Sequence, residues 1–413
     1  MPMPPRPDRR TALRLGGWTM AAAVLAGCTG GPAPRPATAP APGLRPVANP
    51  AYDAWVAAFR ARARAGGIST ATLGRAFRGA GYLPGVIERD RAQTETTRTL
   101  EDYLAITAHD GKVRDGRAAL ARHRPLLREL EAQYGVPAAV IAAIWGMESN
   151  YGARRGDIPV ISATSTLAFD GRRGAFFEKQ LVAALRILQR GDVGAAGLVG
   201  SWAGAMGHTQ FIPTTYQAYA VDFRGDGRRD IWSEDPTDAL ASAAAYLSKS
   251  GWRRGQSWGL EVRAPEGLAA GGRRDADAWG ASGVRPARGG ALPGGTARLL
   301  RPQGTRGPAF LAYGNFDVIL RYNNSTKYGI GVGHLSDRIA GGGPLVTDFP
   351  PDIHGLTLGD RKRLQQRLNA AGFDAGTPDG VLGKKTEAAI RAFQRARGLP
   401  VTGTPSAALL AQL

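Results

Sequence analysis

The sequence predicts a mainly α protein of the α+β kind, built as one large helical body with a small helical tail. Three observations predict it. Apolar residues recur at helical spacing through most of residues 52–340. A Gly-, Ala- and Arg-rich interruption at 267–307 suits loops and short strands, not a domain of its own. Residues 356–413 form a separate amphipathic set beyond a Pro/Gly-rich stretch. At 413 residues the chain has room for two or three domains, each with its own core.

The first element is an address. "RPDRRTALRLGGWTMAAAVLAGC" has a charged start, an apolar run from Leu15 to Ala26, and small residues before Cys28. The run is too short for a stable membrane span, so 1–27 read as an export leader. Arg9-Arg10 resembles a twin-arginine signal. "LAGC" resembles a bacterial lipobox, in which the Cys is lipidated and becomes the mature N-terminus. Cys28 is the sole cysteine, which excludes intramolecular disulfides and any thiolate zinc site. Residues 28–48 are a Pro/Ala linker unable to build a core.

Four stretches then read as amphipathic helices: "YDAWVAAFRARARAGG", "RPLLRELEAQYGV", "FFEKQLVAALRILQRGD" and "PTDALASAAAYLSKSGW". The body is expected to span 49–342, followed by a second linker at 343–355. In the tail, "TLGD" predicts a capping box opening a helix with Leu364 and Leu368 on one face. "TEAAIRAFQRARG" predicts a second helix, with Ile390 and Phe393 inward and Gly398 as its stop.

The formal net charge is +19, of which the six Arg and one Asp of residues 1–48 supply +5 and the remainder +14. Such a surface favours polyanions, although an Arg-rich composition bias gives the same count. No basic motif interleaved with aromatics is present, so nucleic acid is not expected as a partner.

The chemistry starts at "GVPAAVIAAIWGMESNYG", residues 135–152. Pro137 suits the first helical position and Gly152 the stop. Val140, Ile141 and Ile144 share one stripe, and the same stripe carries Glu148 one turn from the helix end. Burial disfavours a charged carboxylate and raises its pKa. A protonated Glu at neutral pH can give its proton to a leaving oxygen. The plainer alternative is a helix-end Glu paired with Arg154 or Arg155. A second constellation, "GSWAGAMGHTQFIPTTY" (200–216), packs small residues with Trp202, Phe211 and Tyr216 as apolar walls and Ser201 and Gln210 as hydrogen-bonding groups. Such mixed surfaces suit sugar rings, although Trp202 and Met206 could equally be core.

Together "ESNYG" and "GSWAGAMGHTQFIPTTY" resemble the membrane-bound lytic murein transglycosylase B family. "FDGRRGAFF", "DPTDALASAAAYL" and "RYNNSTKYGIGVGHL" follow in the family's order. The tail "LQQRLNAAGFDAGTPDGVLGKKTEAAIRAFQRARGL" resembles the peptidoglycan-binding domain of many wall enzymes. The resemblance implies a lysozyme-like catalytic domain followed by a three-helix peptidoglycan-binding domain. It also implies cleavage of the MurNAc–GlcNAc bond without water. Glu148 would be the single catalytic acid and base. Ser201, Met206 and Gln210 would line the central subsites. Arg172, Arg173, Tyr246, Tyr322, Asn323 and Tyr328 would shape the cleft, with Tyr103 beside them.

"DFRGDGRRDIW" resembles part of a calcium loop, with Asp222, Asp226 and Gly227 at positions one, five and six. Arg224 stands at position three and Ser233 at position twelve, where oxygen ligands are expected. A later Asp serves in some family members, and Asp238 matches it. The Asp-Gly pair also suits a simple turn. No cofactor is required by the resemblance, and calcium is the one metal it leaves open. The five His residues show no metal spacing. Expected partners are glycan strands and a membrane, reached through the lipid anchor, for a monomer in the periplasm. Thr29 after the lipobox, not Asp, favours the outer membrane. Two other readings remain at this stage: a lysozyme-type hydrolase using water, and a non-catalytic wall-binding protein.

Overall fold

Pro137 and Asn150 bracket the helix around which the large body is assembled. The computed structural model describes residues 43–92 and 98–413, so the leader, Cys28 and most of the first linker lie outside it. The helix Ala138–Ser149 buries nine of its twelve residues, including Glu148 and Ser149, which makes it a central rod instead of a one-faced helix. Its ends differ from the sequence reading. Pro137 is the N-cap, and the stop is Asn150, not Gly152. Asn150 takes a left-handed conformation (φ 53°), in which its N–H donates to Gly146 O and that of Tyr151 to Trp145 O.

Helices Asp110–Arg122, Arg124–Tyr134, Thr237–Lys249 and Thr326–Ile339 pack around this rod. They share one apolar core that includes Leu127, Ile141, Ile144, Leu240, Phe316 and Ile330. A paired layer of Val160–Asp170 and Gly174–Arg190 lies beside it, joined by the N-terminal helices Pro50–Ala65, Thr70–Ala76 and Pro84–Arg91. The expected helices are thus present, and seventeen occur among the described residues.

The Gly-rich interruption is more organised than its composition suggests. Strands Gly271–Asp275, Thr296–Leu300, Ala309–Ala312, Gly259–Arg263 and Arg285–Pro286 form, in that order, an antiparallel five-stranded sheet. Val262, Trp279, Val284, Leu299 and Leu311 give it a core of its own. The outermost strand, Gly271–Asp275, is exposed along its whole length, so no alternation of apolar residues marks it.

The tail folds around Leu356, Leu364, Leu368, Ile390, Phe393 and Leu409. The capping box is present: Thr357 Oγ1 accepts from Asp360 N, and the Asp360 carboxylate accepts from Thr357 N. The stretch expected as a free linker is strapped down. Leu345 and Phe349 pack on the main core. The Glu261 carboxylate accepts from Val346 N at 2.8 Å and Thr347 N at 2.7 Å. Arg361, only 2% exposed, then joins tail to body. Its guanidinium meets Glu101 at 2.5 Å, Asp102 at 3.1 Å and Asp352 at 3.1 Å. Glu101 and Asp102 open the helix Leu100–Thr107, whose next residue is Tyr103. No helix among the described residues is long and apolar enough to cross a membrane.

Candidate active site

Each residue of "ESNYG" has a separate task at the end of the central helix. Glu148 is 7% exposed, and its Oε1 accepts a hydrogen bond from Tyr328 Oη at 2.6 Å. Ser149 Oγ donates to His208 O at 2.6 Å and accepts from Gly152 N at 3.0 Å, which ties the helix end to the 200–211 loop. Asn150 Oδ1 accepts from Lys112 Nζ at 2.8 Å. Tyr151 Oη donates to Lys112 O at 2.9 Å. The Tyr151 ring lies so close to Gly146 that a Cβ there would sit 2.6 Å from it, so only Gly lets the ring fold back on the helix.

The pocket around Glu148 is aromatic. Tyr322 stacks on Tyr328 with ring centres 6.4 Å apart and planes at 14°. Tyr246 packs edge-on against Tyr322 at 5.1 Å, and Phe211 lies 5.8 Å from the Tyr322 ring. Two of the other tyrosine hydroxyls are spent on backbone carbonyls. Tyr322 donates to Thr209 O at 2.6 Å and Tyr246 to Arg321 O at 2.5 Å. Tyr103 packs from the other side against the helix Thr326–Ile339, where a Cβ on Gly331 would meet its ring at 2.9 Å.

These surroundings set the protonation of Glu148. Burial pushes its pKa up to about 7, and the Tyr328 hydrogen bond and the Lys112 ammonium oppose that rise. Burial, with the Glu148 charge, pushes Tyr103, Tyr322 and Tyr328 upward, so all three stay neutral at working pH. A neutral carboxylic acid beside a wall of neutral phenols is a proton donor in a low-dielectric site. The plainer pairing is absent for Arg155, which turns to the carbonyls of Trp232 and Ser233 and to Glu234.

The loop 200–211 is braced by His208, one of the five His residues that showed no metal spacing. Trp145 Nε1 donates to His208 Nδ1 at 3.1 Å, so Nε2 carries the hydrogen and donates to Ser233 O at 2.7 Å. Burial lowers its pKa and keeps the ring neutral. Gln210 Nε2 donates to Arg155 O at 3.0 Å and to Gly207 O at 2.9 Å. Ser201 Oγ accepts from Ala205 N at 3.1 Å. Met206 is fully buried beneath the loop.

Three more of the expected residues make contacts of their own. Arg172 and Arg173 both bind Asp90, on the helix Pro84–Arg91, and form an ion cluster of their own. Asn323 is the C-cap of the helix Gly314–Tyr322. In the 222–238 segment the carboxylates turn inward on the backbone. Asp222 accepts from the N–H groups of Gly225, Asp226 and Gly227, and Asp226 from that of Arg228. Asp238 accepts from Phe223 and Asp230. Arg224 pairs with Glu129 at 2.8 Å. Among the described residues no group of three or more His, Cys, Asp or Glu is arranged around a common point.

The family profile described as "Transglycosylase SLT domain" matches residues 51–337. The chain belongs to the transglycosylase SLT family. Residues 357–413 match the profile of a peptidoglycan binding domain. Membrane-bound lytic murein transglycosylase B of Escherichia coli (strain K12) is 35% identical over 217 residues. That match covers 50% of this chain and 58% of the relative, so the chain spans less than two thirds of its length. SltB3 from Pseudomonas aeruginosa, solved in complex with NAG-anhNAM-pentapeptide, is 49% identical with a TM-score of 0.71. The likeness to SltB3 covers 88% of this chain and 99% of that one. The E. coli lytic transglycosylase Slt35, solved in complex with calcium, is 29% identical with a TM-score of 0.61, over 71% of this chain and 93% of that one. The SLT family membership and the lysozyme-like helical body followed by a wall-binding domain agree with the fold expected from the motifs.

Lys112 was not legible as a site residue. It lies 36 positions before Glu148 on another helix, and no spacing rule links the two. Its one local mark is a lysine followed by Val113 in "DGKVRDG", which reads as an ordinary solvated face.

Proposed function

We propose that this chain is a lytic transglycosylase. It would cleave the β-1,4 bond between MurNAc and GlcNAc of peptidoglycan and leave 1,6-anhydro-MurNAc ends. The observation that carries the reading is Glu148 itself, a buried carboxyl whose pKa is raised to about 7. The side chains that act on it most are the Tyr328 hydroxyl and the Lys112 ammonium. Two-carboxylate glycosidases need a second acid within reach, whereas substrate-assisted families do not.

The chemistry balances with one side chain. Neutral Glu148 gives its proton to the glycosidic oxygen, the C1–O4 bond breaks, and the electron pair leaves with the GlcNAc oxygen. The acetamido oxygen of MurNAc can answer the positive charge at C1. Ionised Glu148 then takes the proton of the MurNAc C6 hydroxyl, whose oxygen bonds to C1 and closes the anhydro ring. The nucleophile is part of the substrate, which gives it a proximity advantage over water. SltB3, solved with NAG-anhNAM-pentapeptide, supports this choice of product. Export and anchoring through a lipidated Cys28 in the outer membrane rest on the leader motif, together with the name of the membrane-bound E. coli relative.

Mass spectrometry of fragments released from purified sacculi tests the reading. Termini lighter by one water than a reducing end are expected. Reducing MurNAc ends would assign the site to hydrolysis, and no release at all would leave a wall-binding protein.

A further inference from the structure

The turn that follows Glu148 is strained and is held from one side. Asn150 and Tyr151 have φ of 53° and 57°, the left-handed region that side chains other than Gly seldom adopt. Such strain persists only where the surroundings over-determine it. Here Lys112 supplies three contacts. Its ammonium donates to Asn150 Oδ1 at 2.8 Å and lies 5.6 Å from the Tyr151 ring centre, and its carbonyl accepts from Tyr151 Oη at 2.9 Å. The Lys112 N–H itself donates to His109 Nδ1 at 3.2 Å, so the start of the helix Asp110–Arg122 is fixed.

The same ammonium acts on Glu148. Burial, followed by the Arg154 charge, pulls the Lys112 pKa down to about 8, while Asp115 and Glu148 hold it up. The other titratable groups facing the carboxyl are Tyr328, Tyr322 and Tyr103, and all three stay neutral. Between giving and taking back its proton, Glu148 must pass through an anion in an apolar pocket. A buried charge without a partner is among the most unfavourable states a protein can hold.

We infer that Lys112 is a positioning residue for the cleavage proposed above: its ammonium balances Glu148 while that side chain is ionised, and its clamp on Asn150 and Tyr151 sets where the carboxyl points. The inference rests on that reading of the activity. It separates two roles, charge and clamp, that different substitutions divide. Lys112→Gln keeps a donor for Asn150 without charge. Lys112→Arg keeps the charge. Lys112→Met removes both.

The experiment uses the full chain and two readouts. One is kcat against pH on short soluble glycan strands. The other is the midpoint at which the Glu148 carboxyl band titrates by infrared, with Glu148→Gln identifying the band. In Lys112→Gln the midpoint should rise by about one pH unit, and kcat at neutral pH should fall about tenfold, the equivalent of one unit. The alkaline limb of the profile should move upward with the midpoint. Lys112→Arg should restore both. A midpoint unmoved in Lys112→Gln overturns the inference, whether activity is kept or lost, because a clamp alone would not act through charge. Should Lys112→Met not fold, the Gln and Arg chains decide. If the wild-type chain cleaves no glycan, the activity reading fails, and the infrared midpoint still accepts or rejects the coupling.

Discussion

Glu148→Gln is expected to lower turnover on sacculi by at least about a thousandfold, within the span that general acid catalysis contributes, and to leave sacculus binding intact. Gln fills the same volume and still accepts from Tyr328, but it has no proton to give. Stability should move the opposite way. The folded-state pKa of about 7 lies above the unfolded value of 4.5. The stabilisation from the buried neutral acid is therefore fully present below pH 4.5 and is lost as pH rises through 7. The gap corresponds to about 3 kcal/mol. Above pH 7 the Gln chain should melt higher than wild type, and at acid pH the two should converge. A glutamate kept for structure would destabilise the chain when replaced. Activity within tenfold of wild type would remove Glu148 from the mechanism.

The second large effect is expected at Arg361. Arg361→Met leaves Glu101, Asp102 and Asp352 around a buried space with no cation, which costs about 3–5 kcal/mol when one partner of a buried pair is removed. Burial already raises the Glu101 pKa, and the Arg361 charge works against that rise. Without the guanidinium, Glu101 can relieve the loss by taking up a proton, so the destabilisation should grow with pH. Deleting residues 345–413 should act similarly, because it removes Arg361 together with Leu345 and Phe349. Both changes release the helix that carries Tyr103. Turnover on short soluble strands should therefore fall along with sacculus binding, as measured beside thermal unfolding at two pH values. A tethered module would lose only sacculus binding, and that outcome, with unchanged melting, would contradict the docking.

What could be read in advance followed local rules. Glu148 stood out because a helical stripe repeats over four residues, and the tail capping box because its two partners are three residues apart. The misplacements share a cause as well. The stop at Asn150 was hidden because Gly is the usual residue at a left-handed cap and Asn the less common one, held here through its side chain by Lys112. The pairing of Arg172 and Arg173 with Asp90 was hidden because Asp90 lies more than eighty positions upstream. Arg361 sits in "DRKRLQQ", which reads as a solvated face until the body closes over it. Short strands were expected at 267–307, but their pairing into one sheet was not legible because the edge strand is exposed and Gly-rich. Pairings across such separations are set by tertiary packing, and no window of sequence displays them.

The claim on which all else depends is that one buried carboxyl is half protonated near neutrality. Titrating the Glu148 band by infrared in the full chain tests it directly, with Tyr328→Phe as the companion. The account predicts a midpoint near pH 7 in wild type. It predicts a higher midpoint in Tyr328→Phe, because the hydrogen bond that favours the anion is gone. A wild-type midpoint in the ordinary carboxylate range, near 4.5, would contradict it, since Glu148 would then hold almost no proton to give near neutral pH.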